Sequence, residues 1–223
     1  NAAKSKTIVQ ACLNDKDFKD CDVIIITAGI ARKPGMSRDD LLLTNAKIMQ
    51  AVLEDIKKYA PNSKIIIVSN PLDAMVYAAL KILKFPREQV IGMAGILDSA
   101  RMSHFICEKL GYGAGQIESS VMGGHGDAMV PLVNYSTVAG VSLPELLSKE
   151  DIEDIVTKTK NGGLQIVKLL ETGSAYYAPA HATSLMVEAI LHNTRKIYPC
   201  SVMLDGEYDC KNVVSGVPVM LGS

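Results

Sequence analysis

One histidine stands among glycines in Met122-Gly123-Gly124-His125-Gly126-Asp127. Glycine adds no side-chain bulk, so another molecule can approach this imidazole closely. An imidazole titrates near neutral pH and can give or take a proton during a reaction. Upstream, Leu97-Asp98-Ser99-Ala100-Arg101 supplies a carboxylate that can orient the ring and a guanidinium that can hold a carboxylate substrate. Arg101 follows Asp98 at helical spacing, so both side chains project from one face. Two more arginines, Arg32 and Arg38, lie in a Gly/Pro loop behind an apolar run. Together these groups point to proton transfer on a small anionic substrate. Plainer readings stand beside each: Asp98 as a helix cap, Arg101 in a surface ion pair, Arg32 solvated beside Lys33, and Asn70 in an ordinary Asn-Pro turn.

Elements must hold those groups in place. Cys21 to Thr27 is a β-branched run without alternation, the mark of a strand covered on both faces. Lys64 to Ser69 repeats that signature, and Val90 to Met93 gives a third strand. Between them, Arg38-Asp39-Asp40 opens a helix reaching about Ala60, its acids suited to the helix dipole. Asn70-Pro71 begins the next helix with proline in its first turn. Residues Asn1 to Leu13 also read as helical. This alternation predicts an α/β fold built on a doubly wound, Rossmann-type parallel sheet. Ligands of such sheets sit beyond the carboxyl ends of the strands, here Thr27-Ala28-Gly29, Ser69-Asn70 and Ala94-Gly95.

After Gly95 the texture changes. Asp98 to Leu110 reads as helix, Ile117 onward as strand, and Met129 to Val138 as strand again. Lys149 to Glu171 reads as a helix interrupted at Gly162-Gly163, and Tyr176 to His192 as another helix. Ser201 to Leu204 pairs with Val213 to Met220 across the Asp205-Gly206 turn. The expected division is residues 1–94, the doubly wound part, and residues 95–223, a mixed α+β second domain. No G-x-G-x-x-G follows a strand: Gly113-Ala114-Gly115 comes after a helix and lacks the third glycine. Either the sheet is incomplete on its N-terminal side, or the chain never bound a dinucleotide.

Composition narrows the function classes. With 223 residues and 48% apolar content the chain can bury a substantial core. Charge is balanced, 23 basic against 24 acidic residues, with no basic block, which argues against nucleic acid or an anionic membrane as partner. The apolar runs are too short to span a bilayer. Five scattered cysteines without a C-x-x-C pair favour a reducing, cytoplasmic setting. His104, His181 and His192 make no metal-ligand set with His125, so no metal site is expected.

Four motifs in register resemble the lactate/malate dehydrogenase family, in its malate-type branch. Ile26 to Arg38 is similar to the family's mobile active-site loop, and Asn70-Pro71-Leu72-Asp73 to its N-P-x-D turn. Leu97 to Arg101 is similar to its L-D-S-A-R helix, and Gly124-His125-Gly126-Asp127 to its catalytic histidine motif. The resemblance implies reversible hydride transfer between NAD and malate/oxaloacetate, a step of the tricarboxylic acid cycle, by a homodimer or homotetramer. His125 would be the general acid–base and Asp98 its orienting carboxylate. Arg101 would grip the C1 carboxylate, Arg38 polarise the carbonyl, and Arg32 meet the second carboxylate. Asn70 would bond the substrate hydroxyl beside the nicotinamide. Thr27, Ala28, Gly29, Val68 and Ser69 would line the cofactor, and Asn45 matches a cofactor-contacting position. Ala175 stands where lactate-type members carry threonine. The family's glycine fingerprint and ribose-reading acid would precede Asn1, and a last helix would follow Ser223. The resemblance thus implies that residues 1–94 are the later part of a dinucleotide-binding domain and residues 95–223 the catalytic, substrate domain. Two alternatives stay open: a lactate or other 2-hydroxyacid dehydrogenase, and a non-catalytic α/β binding or assembly module.

Overall fold

The computed structural model describes residues 6–30, 37–171 and 173–223, without the side chains of Asp15, Arg38 and Ala114. Three short strands, β1 (Val23–Ile26), β2 (Lys64–Ile67) and β3 (Val90–Gly92), pair in parallel, Ile24 beside Ile65 and Ile65 beside Val90. Helices α1 (Arg38–Tyr59) and α2 (Leu72–Leu83) connect them. Ser37 caps α1: its hydroxyl accepts from the Asp40 N–H, and the Asp40 carboxylate accepts from the Ser37 N–H. The Ser37 hydroxyl also donates to Asp40 Oδ2 at 2.6 Å, and that bond first, then the Ser37 N–H, holds the Asp40 carboxyl below its usual range. Along α1, Asn45, Met49, Leu53 and Ile56 recur every three or four residues and are buried, so one face of the helix meets the sheet.

Strand β2 is covered on both sides. Ile65 and Ile67 pack with α1 and α2, whereas Ile66 packs with Ile91, Ile96 and Met186 on the opposite face. A period of two within an all-isoleucine run sends alternate side chains into two cores. The opposite core is closed by α3 (Gly95–Leu110) and α6 (Tyr177–Leu191).

The sheet does not stop at β3. Gly92 pairs antiparallel with Ser201 of β9 (Ile197–Asp205), which forms a hairpin with β10 (Lys211–Met220). Then follow β5 (Val121–Gly123) and β6 (Met129–Pro131), giving seven strands in the order β1-β2-β3-β9-β10-β5-β6 among the described residues. Beside it lies a small sheet of β4 (Ile117–Glu118), β7 (Thr137–Val138) and β8 (Val141–Ser142). A short helix, α4 (Leu143–Leu146), leads into α5 (Lys149–Leu170). No helix among the described residues is long and apolar enough to cross a membrane.

Four expectations are corrected. Strand β1 is not covered on both faces as β2 is: it lies at the edge of the sheet among the described residues, and Ile25 is 45% exposed. Residues 6–13 are not helical; Ile8 and Leu13 are 88% and 87% exposed. Thr7, Ile8 and Val9 are β-branched and no core receives a helical face there, so nothing offsets the cost of nucleating a helix. The Met129 to Val138 strand is broken, because β6 ends at Pro131 and a 3₁₀ turn over Val133–Tyr135 precedes β7. Proline has no N–H to continue a ladder. Finally, α5 runs unbroken through Gly162-Gly163, for a reason found in the site.

Candidate active site

Helix α3 carries Asp98 and Arg101, and the loop after β5 carries His125. The Nδ1 of His125 lies 2.8 Å from Oδ2 of Asp98, and Nη1 of Arg101 donates to Oδ1 of the same carboxylate at 3.1 Å. The Asp98 side chain is only 2% exposed. The capping alternative for Asp98 is thereby displaced: α3 begins at Gly95 with Ala94 as its N-cap, and both Asp98 oxygens are engaged elsewhere. A proton held on Nδ1 and donated to Asp98 leaves Nε2 for a substrate atom. Arg101 keeps one buried donor, Nε, with no hydrogen-bond partner. An orphaned guanidinium N–H is costly unless an anion reaches it, and a small carboxylate fits that need.

Gly162 explains how Arg101 comes to lie there. A Cβ at this position would stand 3.3 Å from Arg101 Cδ, so Gly162 leaves room for the arginine rather than breaking the helix. Ser99 fixes α3 to the histidine strand: its hydroxyl accepts from the Val121 N–H at 2.9 Å, and Ser119 donates to the Ser99 carbonyl at 2.7 Å.

At the carboxyl ends of β1 and β2 the second group of expected residues meets. Ser69 Oγ donates to the Ala28 carbonyl at 2.6 Å. Asn45, buried in α1, accepts from the Ile30 N–H at 2.8 Å and donates to the Asn70 carbonyl at 2.7 Å. Its amide thus ties the loop after β1 to the Asn70 turn, a tether that periodicity alone did not reveal. Thr27, Gly29 and Asn70 are exposed on the resulting ledge, and Val68 is half-buried behind them. An open strand-end ledge beside the histidine loop fits a flat cofactor ring. Arg32 lies outside the described residues, as does the side chain of Arg38, whose backbone opens α1. A cavity of about 620 Å³ lined by Lys64, Arg87, Arg195 and Glu207 contains none of these groups.

Two residues with no expected role enter the cluster. Asp73, in the first turn of α2, accepts from the His125 N–H through Oδ2 at 2.9 Å. Ser201 of β9 donates to Asp73 Oδ1 at 2.6 Å. Asp73 belongs to the N-P-L-D turn, so its place in a motif was visible; its partners, Ser201 included, were not.

Comparison with known proteins identifies the family of both halves of the chain. Residues 1–92 match the NAD binding domain of lactate/malate dehydrogenases, and residues 96–223 match the alpha/beta C-terminal domain of the same family. The chain is 66% identical over 218 residues to a malate dehydrogenase of Aliarcobacter butzleri, covering 98% of this chain and 69% of that protein. A malate dehydrogenase of Sulfurimonas denitrificans is 62% identical over 222 residues, covering 100% of this chain and 70% of the relative. The apo malate dehydrogenase structure from Picrophilus torridus superposes with a TM-score of 0.90 at 46% identity, covering 93% of this chain and 66% of that one. The chain thus spans about two thirds of the length of its relatives. Both of its halves match, in order and nearly end to end, and the chain belongs to the lactate/malate dehydrogenase family.

Proposed function

We propose that this chain carries NAD-dependent malate dehydrogenase chemistry, the reversible oxidation of malate to oxaloacetate in the tricarboxylic acid cycle. The observation that carries the reading is the Asp98 carboxylate, shared by the His125 imidazole and the Arg101 guanidinium at 2.8 and 3.1 Å. The cofactor, when bound, accepts or returns a hydride at C2 of the substrate. The protein does the rest. In reduction, His125 gives its Nε2 proton to the C2 oxygen, and Asp98 stabilises the imidazolium that precedes the transfer. Arg101 holds the C1 carboxylate, its orphaned Nε included. Asn70 bonds the C2 oxygen from the ledge, and Arg38 adds positive charge where negative charge develops.

Arg32 sets the substrate. A dicarboxylate brings a second anion to meet it, whereas the methyl group of pyruvate would leave the guanidinium desolvated and unpaired. Thr27, Ala28, Gly29, Val68 and Ser69 form the cofactor ledge, which Asn45 braces from behind. Residues 1–94 then serve the cofactor and residues 95–223 the substrate, with the β3–β9 pairing as the seam. The uncrosslinked cysteines suit a cytoplasmic enzyme. Leu164, Val167 and Leu170 recur every three residues on the exposed side of α5, which suits a homodimer or homotetramer.

Purified protein assayed by NADH oxidation should reduce oxaloacetate well and pyruvate poorly. Preference for pyruvate would move the reading to a lactate-type dehydrogenase. NADH binding without turnover of either would leave a binding module.

A further inference from the structure

We propose that Asp73, held by Ser201, is a positioning residue that sets where His125 stands relative to the Asn70 turn; the inference rests on the proposed function and extends it. The histidine loop needs such a pin. Gly123 and Gly126, at φ +82° and +121°, flank His125 in conformations that other residues rarely adopt, and Gly124 adds further freedom. Asp98 fixes the ring at Nδ1, but a bond to the ring leaves the backbone that carries it free to shift.

The Asp73 carboxylate fixes that backbone. Oδ2 accepts from the His125 N–H at 2.9 Å, and a Cβ on Gly124 would stand 3.2 Å from the same oxygen. Glycine at position 124 is therefore what lets the carboxylate close on the loop. The other oxygen is engaged too: Oδ1 accepts at 2.6 Å from the hydroxyl of Ser201, which is 0% exposed in β9. The carboxylate thus joins α2, the histidine loop and the strand at the seam of the two halves. Asp73 also lies three residues from Asn70, across the turn that opens α2. Any shift of that turn carries the histidine backbone with it, so proton donor and hydroxyl-binding amide move as one unit. An acid that served only the α2 dipole would need neither partner.

Three variants of the full chain test the clamp: Asp73→Ala, Asp73→Asn and Ser201→Ala. Asp73→Ala should lower kcat by roughly 30- to 100-fold, the penalty of misplacing a reacting group by about 1 Å. Its NADH Kd and oxaloacetate KM should stay within about threefold of the parent, because no bound ligand touches Asp73 in this reading. Asp73→Asn keeps an oxygen for the His125 N–H and offers an N–H to Ser201, and should recover kcat to within about fivefold. Ser201→Ala removes one hydrogen bond and should lower kcat about fivefold. Amide deuterium exchange at Gly124 to Gly126 should accelerate at least about tenfold in Asp73→Ala, a readout that requires no turnover.

Parental kcat and parental loop exchange in Asp73→Ala overturn the proposal. So does an Asp73→Asn variant as slow as Asp73→Ala, which would place the effect in the charge rather than the hydrogen bond. Where Asp73→Ala does not fold, Ser201→Ala with parental kcat and parental exchange is equally decisive against it. A parent protein that turns over no oxaloacetate sinks the functional reading, while the exchange comparison still decides the clamp.

Discussion

Gly162 of α5 faces Arg101 of α3 so closely that a Cβ there would stand 3.3 Å from Arg101 Cδ. The next glycine is looser: a Cβ on Gly163 would stand 3.5 Å from Arg101 Nη2, an ordinary contact. The pair separates two kinds of substitution. Gly162→Val should push the guanidinium off the substrate and raise the KM for oxaloacetate by about tenfold or more, the value of one charged hydrogen bond. Gly163→Ala should leave KM unchanged and raise stability by up to about 1 kcal/mol, since glycine in a helix interior is entropically costly. Steady-state kinetics and urea midpoints on both variants check this together.

Asp98→Asn should lower kcat/KM for oxaloacetate by on the order of 10²- to 10⁴-fold, with NADH affinity unchanged. An amide can donate where the carboxylate accepts, which draws the imidazole proton to the nitrogen facing the substrate. It also weakens the grip on Arg101, now held at 3.1 Å. A loss below about fivefold would mean that the carboxylate merely packs.

Arg32→Gln should shift preference from oxaloacetate towards pyruvate, changing the ratio of the two kcat/KM values by on the order of 10²-fold or more. The physical ground is the second carboxylate, which only a diacid presents. Parallel assays of the two substrates decide it, and an unchanged ratio removes Arg32 from the specificity site.

Acid sensitivity is expected away from the site. Arg87 donates to both oxygens of Glu207, at 2.8 and 3.1 Å, and so links the turn before β3 to the β9–β10 hairpin. That bond, first of all, brings the Glu207 carboxyl down from 4.5 to about 2. A carboxyl depressed on folding stabilises fully above its unfolded value, and the contribution is lost as pH falls from 4.5 towards 2. Arg87→Ala should therefore unfold at lower urea than the parent at neutral pH, with the gap closing as pH approaches 2. Urea midpoints measured across that range test the sign. The pair is half-exposed, so added salt should narrow the neutral-pH gap as well.

Local order was legible wherever a single element decides it. The isoleucine runs of β1 and β2 leave few conformations other than a strand, although only β2 is covered on both faces, and the Ser37 to Asp40 spacing marks the start of α1. Asp98 and Arg101 share a helix turn, so their meeting could be read from spacing. The errors fell where neighbours decide. Residues 6–13 lack a core to receive a helical face, and the Gly162-Gly163 pair reads as a break until Arg101 is seen against it.

The sequence by itself therefore determined the α/β class, the order of the elements, and the acid, base and cation types available for chemistry. Those follow from backbone propensity and side-chain periodicity, which act over a few residues. Only the tertiary structure decided that His125, Asp98, Asp73 and Ser201 meet, because their contacts span 27, 52 and 128 positions along the chain. Closing such separations depends on strand pairing and on burial shared among many elements. No local pattern encodes that sum.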